Sequence, residues 1–261
     1  MKAGLRFASL GSGSKGNATL VESGSTRVLI DCGFSLKETK RRLEQQGVAP
    51  ETLTAVLVTH EHADHINGVG ALCRRYQLPL YTTPGTRLSG RLGNQLPDWR
   101  AIHPEHPFAV GDLEIWPVTV PHDAREPVQF ILGDGARRLG VLTDLGSITP
   151  HILRHYRRCQ ALVLEANHDP QMLAQGPYPP SLKRRVGGDY GHLSNQQAGD
   201  LLSQLEINHL THLVASHLSE QNNCPQLAVE TLAASLNASS DWICLADQEA
   251  GFSWREVSSW N

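Results

Sequence analysis

Short hydrophobic runs alternate with polar, glycine-rich connections along the whole chain, a pattern typical of an α/β protein. In the first half the runs have the length of strands, and residues 54–59 form a continuous apolar run typical of a strand buried on both faces. In the second half strand-length runs alternate with segments of helical length. Strands are predicted over residues 5–10, 18–22, 26–31, 54–59, 113–120, 128–132, 139–143, 161–165, 211–215 and 242–245, and helices over residues 36–46, 65–76, 149–158, 194–205 and 225–236.

One stretch, residues 171–191, departs from this alternation. It is rich in proline and glycine and carries the basic run Lys183, Arg184 and Arg185, so it predicts a long irregular segment. Because long loops in a compact protein often carry function, we expect this 171–191 arm to be mobile or to cover a site. No internal repeat or low-complexity linker divides the chain, and we therefore expect a single domain over residues 1–261.

The composition is that of an ordinary globular protein. Hydrophobic residues make up 40% and charged residues 19% of the 261 residues, which excludes a disordered chain. The net charge of −3 argues against strong non-specific binding of nucleic acid, although a local basic site is still allowed. The 13 histidines stand out, because histidine is the commonest metal ligand and the usual acid–base residue near neutral pH.

Nothing in the sequence predicts secretion or a membrane partner. Arg6 interrupts the short apolar stretch near the start, and no apolar run reaches the roughly 18 residues that span a bilayer. The five cysteines are scattered and form no Cys-x-x-Cys pair, which favours reduced thiols. We therefore expect a cytoplasmic protein.

The densest chemical feature is the segment His-Glu-His-Ala-Asp-His at residues 60–65, which directly follows the predicted strand at 54–59. A strand-to-helix turn can direct His60 and His62 at one metal ion and Asp64 and His65 at a second. The alternative is a polar surface loop, but four potential ligands in six residues at a strand end favour metal binding.

This segment resembles the motif of the metallo-β-lactamase-fold hydrolases. Further matches follow in the order of that family, each at or just after a predicted strand: Asp31, His122, Asp144 and His217. The resemblance implies a four-layer αββα sandwich with a site for two metal ions at one edge of two sheets.

The resemblance also implies how the ligands are shared between the ions. The first ion would be held by His60, His62 and His122, and the second by Asp64, His65 and His217. Asp144 would bridge the two ions.

The chemistry of the proposed ligands agrees with this assignment, because all are histidine or aspartate. Zn²⁺ is the expected ion, and Mn²⁺ or Fe²⁺ would also fit. Two divalent ions, the carboxylates of Asp64 and Asp144 and a bridging hydroxide leave about one net positive charge, which favours an anionic phosphodiester and attack by the metal-bridging hydroxide. Asp31 is expected to accept a hydrogen bond from a ligand histidine, although a turn-capping role before Gly33 is a close alternative.

Two further residues predict acid catalysis. Glu165 ends a predicted strand and His192 precedes a predicted helix. In the nuclease branch of the family that includes tRNase Z, a similar pair protonates the leaving group, and the resemblance implies that role here. Glu165, His192 and Asp64 form the predicted catalytic set. The alternative for His192 is a structural position before a helix that Ser194 caps.

Longer segments, among them LGSGSKGNATLVES, VPHDAREPV, LVLEANHD and SHLSEQNN, resemble the YycJ/VicX (WalJ) subfamily of this fold. That resemblance covers nearly the whole chain and implies a 5′-to-3′ exonuclease that prefers single-stranded DNA. The short interval between Asp144 and His217 leaves no room for the large inserted domain of RNase J-type nucleases.

Other functions remain open at this point. The enzyme alternatives are hydrolysis of a small phosphodiester and of a thioester, as in glyoxalase II-like relatives, and the non-enzyme alternative is a metal-binding regulatory protein. Lys183, Arg184, Arg185 and His168 are candidates for substrate binding, and a solvated surface is the alternative for the basic run. The remaining histidines are expected to be surface residues, and the oligomeric state is not predicted.

Overall fold

The computed structural model describes residues 4–258, and within this range the strands form two seven-stranded sheets. In spatial order the first sheet consists of β14 (Phe252–Glu256), β1 (Arg6–Gly11), β2 (Ala18–Ser23), β3 (Thr26–Ile30), β4 (Ala55–Leu57), β5 (Pro79–Thr82) and β6 (Asp98–Ala101). In spatial order the second sheet consists of β13 (Cys244–Leu245), β12 (His212–Ser216), β11 (Ala161–Glu165), β10 (Arg138–Leu142), β9 (Val128–Gly133), β8 (Leu113–Thr119) and β7 (Phe108–Val110).

Each sheet is antiparallel on one side and parallel on the other. The parallel part runs from β3 to β6 in the first sheet and from β10 to β13 in the second. Parallel strands end at the same edge of a sheet, and the loops after them form the usual place for a site. The predicted ligands follow β4, β8, β10 and β12, and Asp31 follows β3, so the topology brings these residues toward one edge of each sheet.

Helices lie on the outer faces of the two sheets and around the edge where the predicted ligands meet. They are α1 (Leu36–Gln45), α2 (Ala63–Ile66), α3 (Val69–Tyr76), α4 (Pro84–Leu88), α5 (Pro150–Tyr156), α6 (Pro170–Gln175), α7 (Pro180–Val186), α8 (Asn195–Gln204) and α9 (Pro225–Leu236), with short 3₁₀ turns at Pro50–Thr52 and Ser240–Trp242. Leu43 of α1 packs in a core on the first sheet, and Leu232 of α9 packs in a core on the second. A third core, which includes Phe7 and Phe130, lies between the sheets. The predicted αββα sandwich is therefore confirmed.

The prediction of an irregular segment at 171–191 is wrong, because most of this arm is helical. It contains the end of α6, all of α7 and their connections. Each helix begins at a proline, Pro170 or Pro180, where the missing N–H costs nothing and the fixed φ suits a first turn. Asp169 caps α6 by accepting from the N–H groups of Gln171 and Met172. Pro180, which the pattern counts as a loop signal, is thus the start of a helix.

The helix predicted over 65–76 is divided into α2 and α3 at Asn67 and Gly68. The N–H of Gly68 donates to the carbonyl of Cys32 at 2.8 Å, and a Cβ atom on Gly68 would lie 2.0 Å from the carbonyl oxygen of Phe34. The close approach to the end of β3 therefore requires glycine and breaks the helix. The pattern also missed the short strands β5, β6 and β7 and the five-residue strand β14. Among the described residues, no helix has both the length and the hydrophobicity needed to cross a bilayer.

Candidate active site

The loops after the parallel strands surround a cavity of about 310 Å³. It lies where the edges of the two sheets meet, and its floor consists of predicted ligands. The lining residues are Ser14, His62, Ala63, Asp64, Asp123, Asp144, Asn167, Tyr178, Leu182, Arg185, Val186, Gly191, His192, His217 and Ser219.

Three residues at strand ends have left-handed backbones: Asp31 after β3, Asp144 after β10 and His217 after β12, with φ of 60°, 52° and 54°. Residues other than glycine rarely adopt this conformation, which costs of the order of 1–3 kcal/mol, and it is found where surrounding structure enforces it, often at functional sites. All three are predicted site residues, so the bend at each strand end is part of the site.

The first predicted ligand group is assembled as the sequence suggested. His60, His62 and His122 each place a ring nitrogen within 4.8 Å of the others. Nδ1 of His62 lies 3.2 Å from Nε2 of His122. Nδ1 of His122 lies 3.0 Å from the carbonyl oxygen of Gly191, to which it can only donate, so this contact fixes the tautomer and leaves Nε2 for a ligand.

The second predicted group is also assembled. Nε2 of His65 and Nε2 of His217 each lie 3.4 Å from Oδ2 of Asp64. Oδ2 of Asp31 lies 2.8 Å from Nδ1 of His65, a contact that turns Nε2 of that ring toward the site. The N–H and hydroxyl of Thr59 donate to the same carboxylate and hold it in place.

Asp144 lies between the two groups. Its Oδ1 is 3.4 Å from Nε2 of His217 and 3.9 Å from Nε2 of His122, and its Oδ2 is 3.3 Å from Nε2 of His65. A carboxylate in this place faces ligand nitrogens of both groups, as the predicted bridging role requires.

His60 provides a direct test of whether these residues suit a metal ion. The ring is fully buried, and its Nδ1 lies 2.9 Å from the hydroxyl of Thr59. Its Nε2 has no hydrogen-bond partner within residues 4–258. A buried polar nitrogen without a partner is costly, whereas a ligand nitrogen needs no such partner. Burial also lowers the pKa of His60 well below its usual value, which keeps the ring neutral, as a ligand must be.

The carboxylates around the second ligand group stabilise positive charge there. Burial lowers the pKa of His65 and of His217, but the surrounding carboxylates, Asp144 foremost, together outweigh burial and raise both pKa values above the usual histidine value. Burial raises the pKa of Asp64 and of Asp144, and the same histidines reverse this effect and lower both. A divalent ion would supply this positive charge in place of ring protons. The histidine and aspartate set thus suits divalent metal binding.

Glu165 and His192 form the predicted pair beside these groups. Oε2 of Glu165 lies 2.9 Å from Nδ1 of His192 and also accepts from the N–H of Asp144, while Oε1 accepts from the N–H of Leu193. His192 lines the cavity and stacks on His217, with 5.2 Å between ring centroids. Burial lowers the pKa of His192, but Glu165 outweighs it and raises that pKa, which favours the protonated ring.

The 171–191 arm forms one wall of the cavity. Of its three consecutive cations, Arg185 alone lines the cavity, where it pairs with Asp123. Nζ of Lys183 donates instead to the carbonyl oxygen of Ala174 at 2.6 Å, and Arg184 is exposed outside the lining. His168 is buried and outside the lining as well, and burial lowers its pKa to about 4. Substrate contact by Lys183, Arg184 and His168 stays a prediction.

Sequence reasoning missed three polar residues of the site. Nδ2 of Asn17 lies 3.2 Å from Oδ2 of Asp64, and Nδ2 of Asn167 donates to the carbonyl of His217 at 2.9 Å. Oδ1 of Asp123 lies 3.6 Å from Nε2 of His62, and this carboxylate adds a negative charge to those of Asp64 and Asp144. Asn17 lies in the segment LGSGSKGNATLVES, Asn167 lies two residues after Glu165, and Asp123 directly follows His122.

Comparison with known proteins adds family evidence to this geometry. A sequence profile described as the Beta-lactamase superfamily domain matches residues 26–217. The chain is 36% identical over 233 residues to the exodeoxyribonuclease YycJ of Bacillus anthracis, covering 86% of each protein. It is 32% identical over 239 residues to the exodeoxyribonuclease WalJ of Streptococcus pneumoniae, covering 89% of this chain and 88% of the relative.

Solved structures agree on the fold. The metallo-beta-lactamase fold protein YhfI of Bacillus subtilis superimposes with a TM-score of 0.75 at 19% identity, over 97% of this chain and 99% of YhfI. At that identity the likeness concerns the fold alone. With the profile match and the two relatives, it shows that the chain belongs to the beta-lactamase superfamily and has the metallo-β-lactamase fold.

Proposed function

We propose that this protein is a nuclease that needs two divalent ions, with Zn²⁺ expected and Mn²⁺ or Fe²⁺ as alternatives. The observation that carries the proposal is the shared cavity: both ligand groups and the Glu165–His192 pair meet around it. Ligands without a proton donor would suit many hydrolases, whereas a buried carboxylate–histidine pair beside them suits a substrate with a poor leaving group.

His60, His62 and His122 would hold one ion, Asp64, His65 and His217 the other, and Asp144 would face both. When bound, the ions supply a hydroxide at neutral pH and withdraw charge from phosphoryl oxygens. Asn17 holds the carboxylate of Asp64 at the cavity wall. We assign this carboxylate to orienting water toward the phosphorus.

His192 would act as the proton donor to the leaving oxygen. Glu165 occupies Nδ1, so Nε2 is the nitrogen left to donate, and the ring lines the cavity where the substrate would lie. The stack on His217 and the bond to Glu165 hold the ring in one orientation. A departing alkoxide needs this proton because it is a strong base.

The substrate class rests on the two relatives, both of which are named exodeoxyribonucleases and cover most of the chain. We propose DNA as the substrate, single strands as the preferred form and 5′-to-3′ as the polarity. Digestion of 5′- and 3′-labelled single- and double-stranded DNA and RNA by the metal-reconstituted protein tests each of these points. A thioester and bis-p-nitrophenyl phosphate belong in the same series, and faster turnover of the thioester than of any nucleic acid would overturn the proposal.

Metal content is the first prediction. We expect about two divalent ions per chain at the cavity after purification without chelators, because two complete ligand groups are present there. Elemental analysis by mass spectrometry measures the ratio, and chelator treatment should abolish activity that added Zn²⁺ or Mn²⁺ restores. A reconstituted chain that holds no ion at the cavity would contradict the assignment.

Charge on the 171–191 arm gives a second prediction. Arg185→Ala should raise KM for single-stranded DNA several-fold and lower the salt slope of binding by about one, because the lost cation faces the cavity. The loss of the Arg185 side chain also removes the ion-pair partner of Asp123, whose carboxylate lines the same cavity. Lys183→Ala is the matched control, since Lys183 is bonded to Ala174 and should change binding little. Equal effects of the two changes would show that the cavity position of Arg185 is unimportant.

A further inference from the structure

Two histidines on α5 converge on one glutamate outside the candidate active site. Nε2 of His151 lies 2.9 Å from Oε1 of Glu105, and Nε2 of His155 lies 3.1 Å from Oε2 of the same carboxylate. The ring centroids are 4.6 Å apart. The histidines are four residues apart on the helix, so they lie on the same face one turn from each other. The sequence pattern predicts that both are ordinary surface residues.

Glu105 is held in position without help from the histidines. It lies between β6 and β7, where its N–H donates to the carbonyl of Pro117 at 2.9 Å. Its Oε1 also accepts from the N–H of Thr119 at 3.1 Å. Its φ of 65° lies in the left-handed region, which a residue other than glycine adopts when its surroundings impose it. The carboxylate is therefore fixed against the end of β8 and faces α5.

We propose that Glu105, His151 and His155 bind a further divalent ion of the late transition series, such as Zn²⁺, Co²⁺ or Ni²⁺, separate from the candidate active site. One atom from each side chain lies within 4.8 Å of the others. Tetrahedral zinc, with ligands at about 2.0–2.2 Å, requires ligand atoms about 3.3 Å apart, so small side-chain adjustments complete the geometry. The side chains are between 27% and 36% exposed, which leaves room for adjustment and for water as a fourth ligand.

The ligand set selects the class of ion. Two imidazole nitrogens and one carboxylate suit Zn²⁺ and its neighbours, whereas Mg²⁺ and Ca²⁺ prefer oxygen ligands throughout. The ion would join α5 to the loop before β7 and, through Glu105, to β8. These segments are separated in sequence, so the expected role is stabilisation of this face of the second sheet.

The test counts ions in the holoprotein after equilibrium dialysis against Zn²⁺. Wild type should bind about one ion more per chain than His155→Ala or Glu105→Gln, and added Zn²⁺ should raise the Tm of wild type by about 5 °C beyond its effect on either variant. Glu105→Gln keeps an oxygen for the N–H of Thr119, so it guards against a variant that simply misfolds. His106→Ala, on the same loop, is the matched control and should bind as many ions as wild type.

The same difference of about one ion should persist when His155→Ala or Glu105→Gln is made in an Asp144→Ala background, which separates this site from the active-site ions. Hydrolytic activity of the saturated His155→Ala variant should equal that of wild type. Equal ion counts in wild type, His155→Ala and Glu105→Gln would overturn the proposal. So would a loss of Tm in the variants that is the same with and without Zn²⁺, because it would show that the histidines and Glu105 act only as an ion pair.

Discussion

Replacing Asp144 with alanine is expected to lower hydrolysis of DNA by about 10³-fold or more, the largest loss that we predict for one side chain. Its carboxylate faces nitrogens of both ligand groups, so its removal weakens the hold on both ions at once. The charge stabilisation that such ions supply is worth several kcal/mol, and each 1.36 kcal/mol is about tenfold in rate. Single-turnover rates and elemental analysis of the purified variant measure the two effects.

Asp144→Asn separates charge from shape in the same experiment. It keeps the size of the side chain and one oxygen, so retained folding with lost metal and activity would assign the effect to the negative charge. Asp189→Asn is the matched control, because Asp189 is exposed and lies outside the cavity lining. An Asp144→Ala variant that kept about two ions and most of its activity would contradict the bridging role.

Removing His192 should give the second largest loss, and the loss should depend on the leaving group. His192→Ala is expected to slow hydrolysis of DNA by about 10²–10⁴-fold with its metal content unchanged. Hydrolysis of bis-p-nitrophenyl phosphate should fall far less, because p-nitrophenolate departs as a stable anion and needs no proton. Rates for the two substrates, compared at equal metal occupancy, test the proton-donor role.

Equal losses on the two substrates would instead assign His192 to positioning the substrate or the start of α8. Glu165→Gln is a weaker test of the proton-donor role than His192→Ala. Glu165 accepts hydrogen bonds from two backbone N–H groups besides His192 and is fully buried. An amide there would direct a donor at a donor, at a cost of about 1–3 kcal/mol, so a fall in Tm is expected alongside the lost activity.

The sequence pattern mispredicted the 171–191 arm because local helix-start signals were counted as loop signals, and it mispredicted other segments because their structure depends on distant partners. The 171–191 arm contains α7 and most of α6, although its prolines and glycines predicted a loop. The helix after the His-rich segment breaks at Gly68, because that backbone donates to Cys32 at the end of β3. The small strands β6 and β7 carry too few residues for a periodic signal, and pairing with their neighbours creates them.

The sequence by itself determined the family, the sandwich and the identity of the residues that meet at the site. The family and the sandwich follow from the resemblance of these motifs to the metallo-β-lactamase-fold hydrolases, and the motifs could be matched because the predicted ligands are consecutive or follow apolar runs. Only the tertiary structure decided which atoms face each other: the left-handed turns at Asp31, Asp144 and His217, the unpaired Nε2 of His60 and the placement of Arg185 alone at the cavity. These depend on φ angles, burial and contacts between residues far apart in sequence, which local patterns do not contain. The convergence of α5 on Glu105 is of the same kind, since only packing of the helix against the end of β8 brings these residues together.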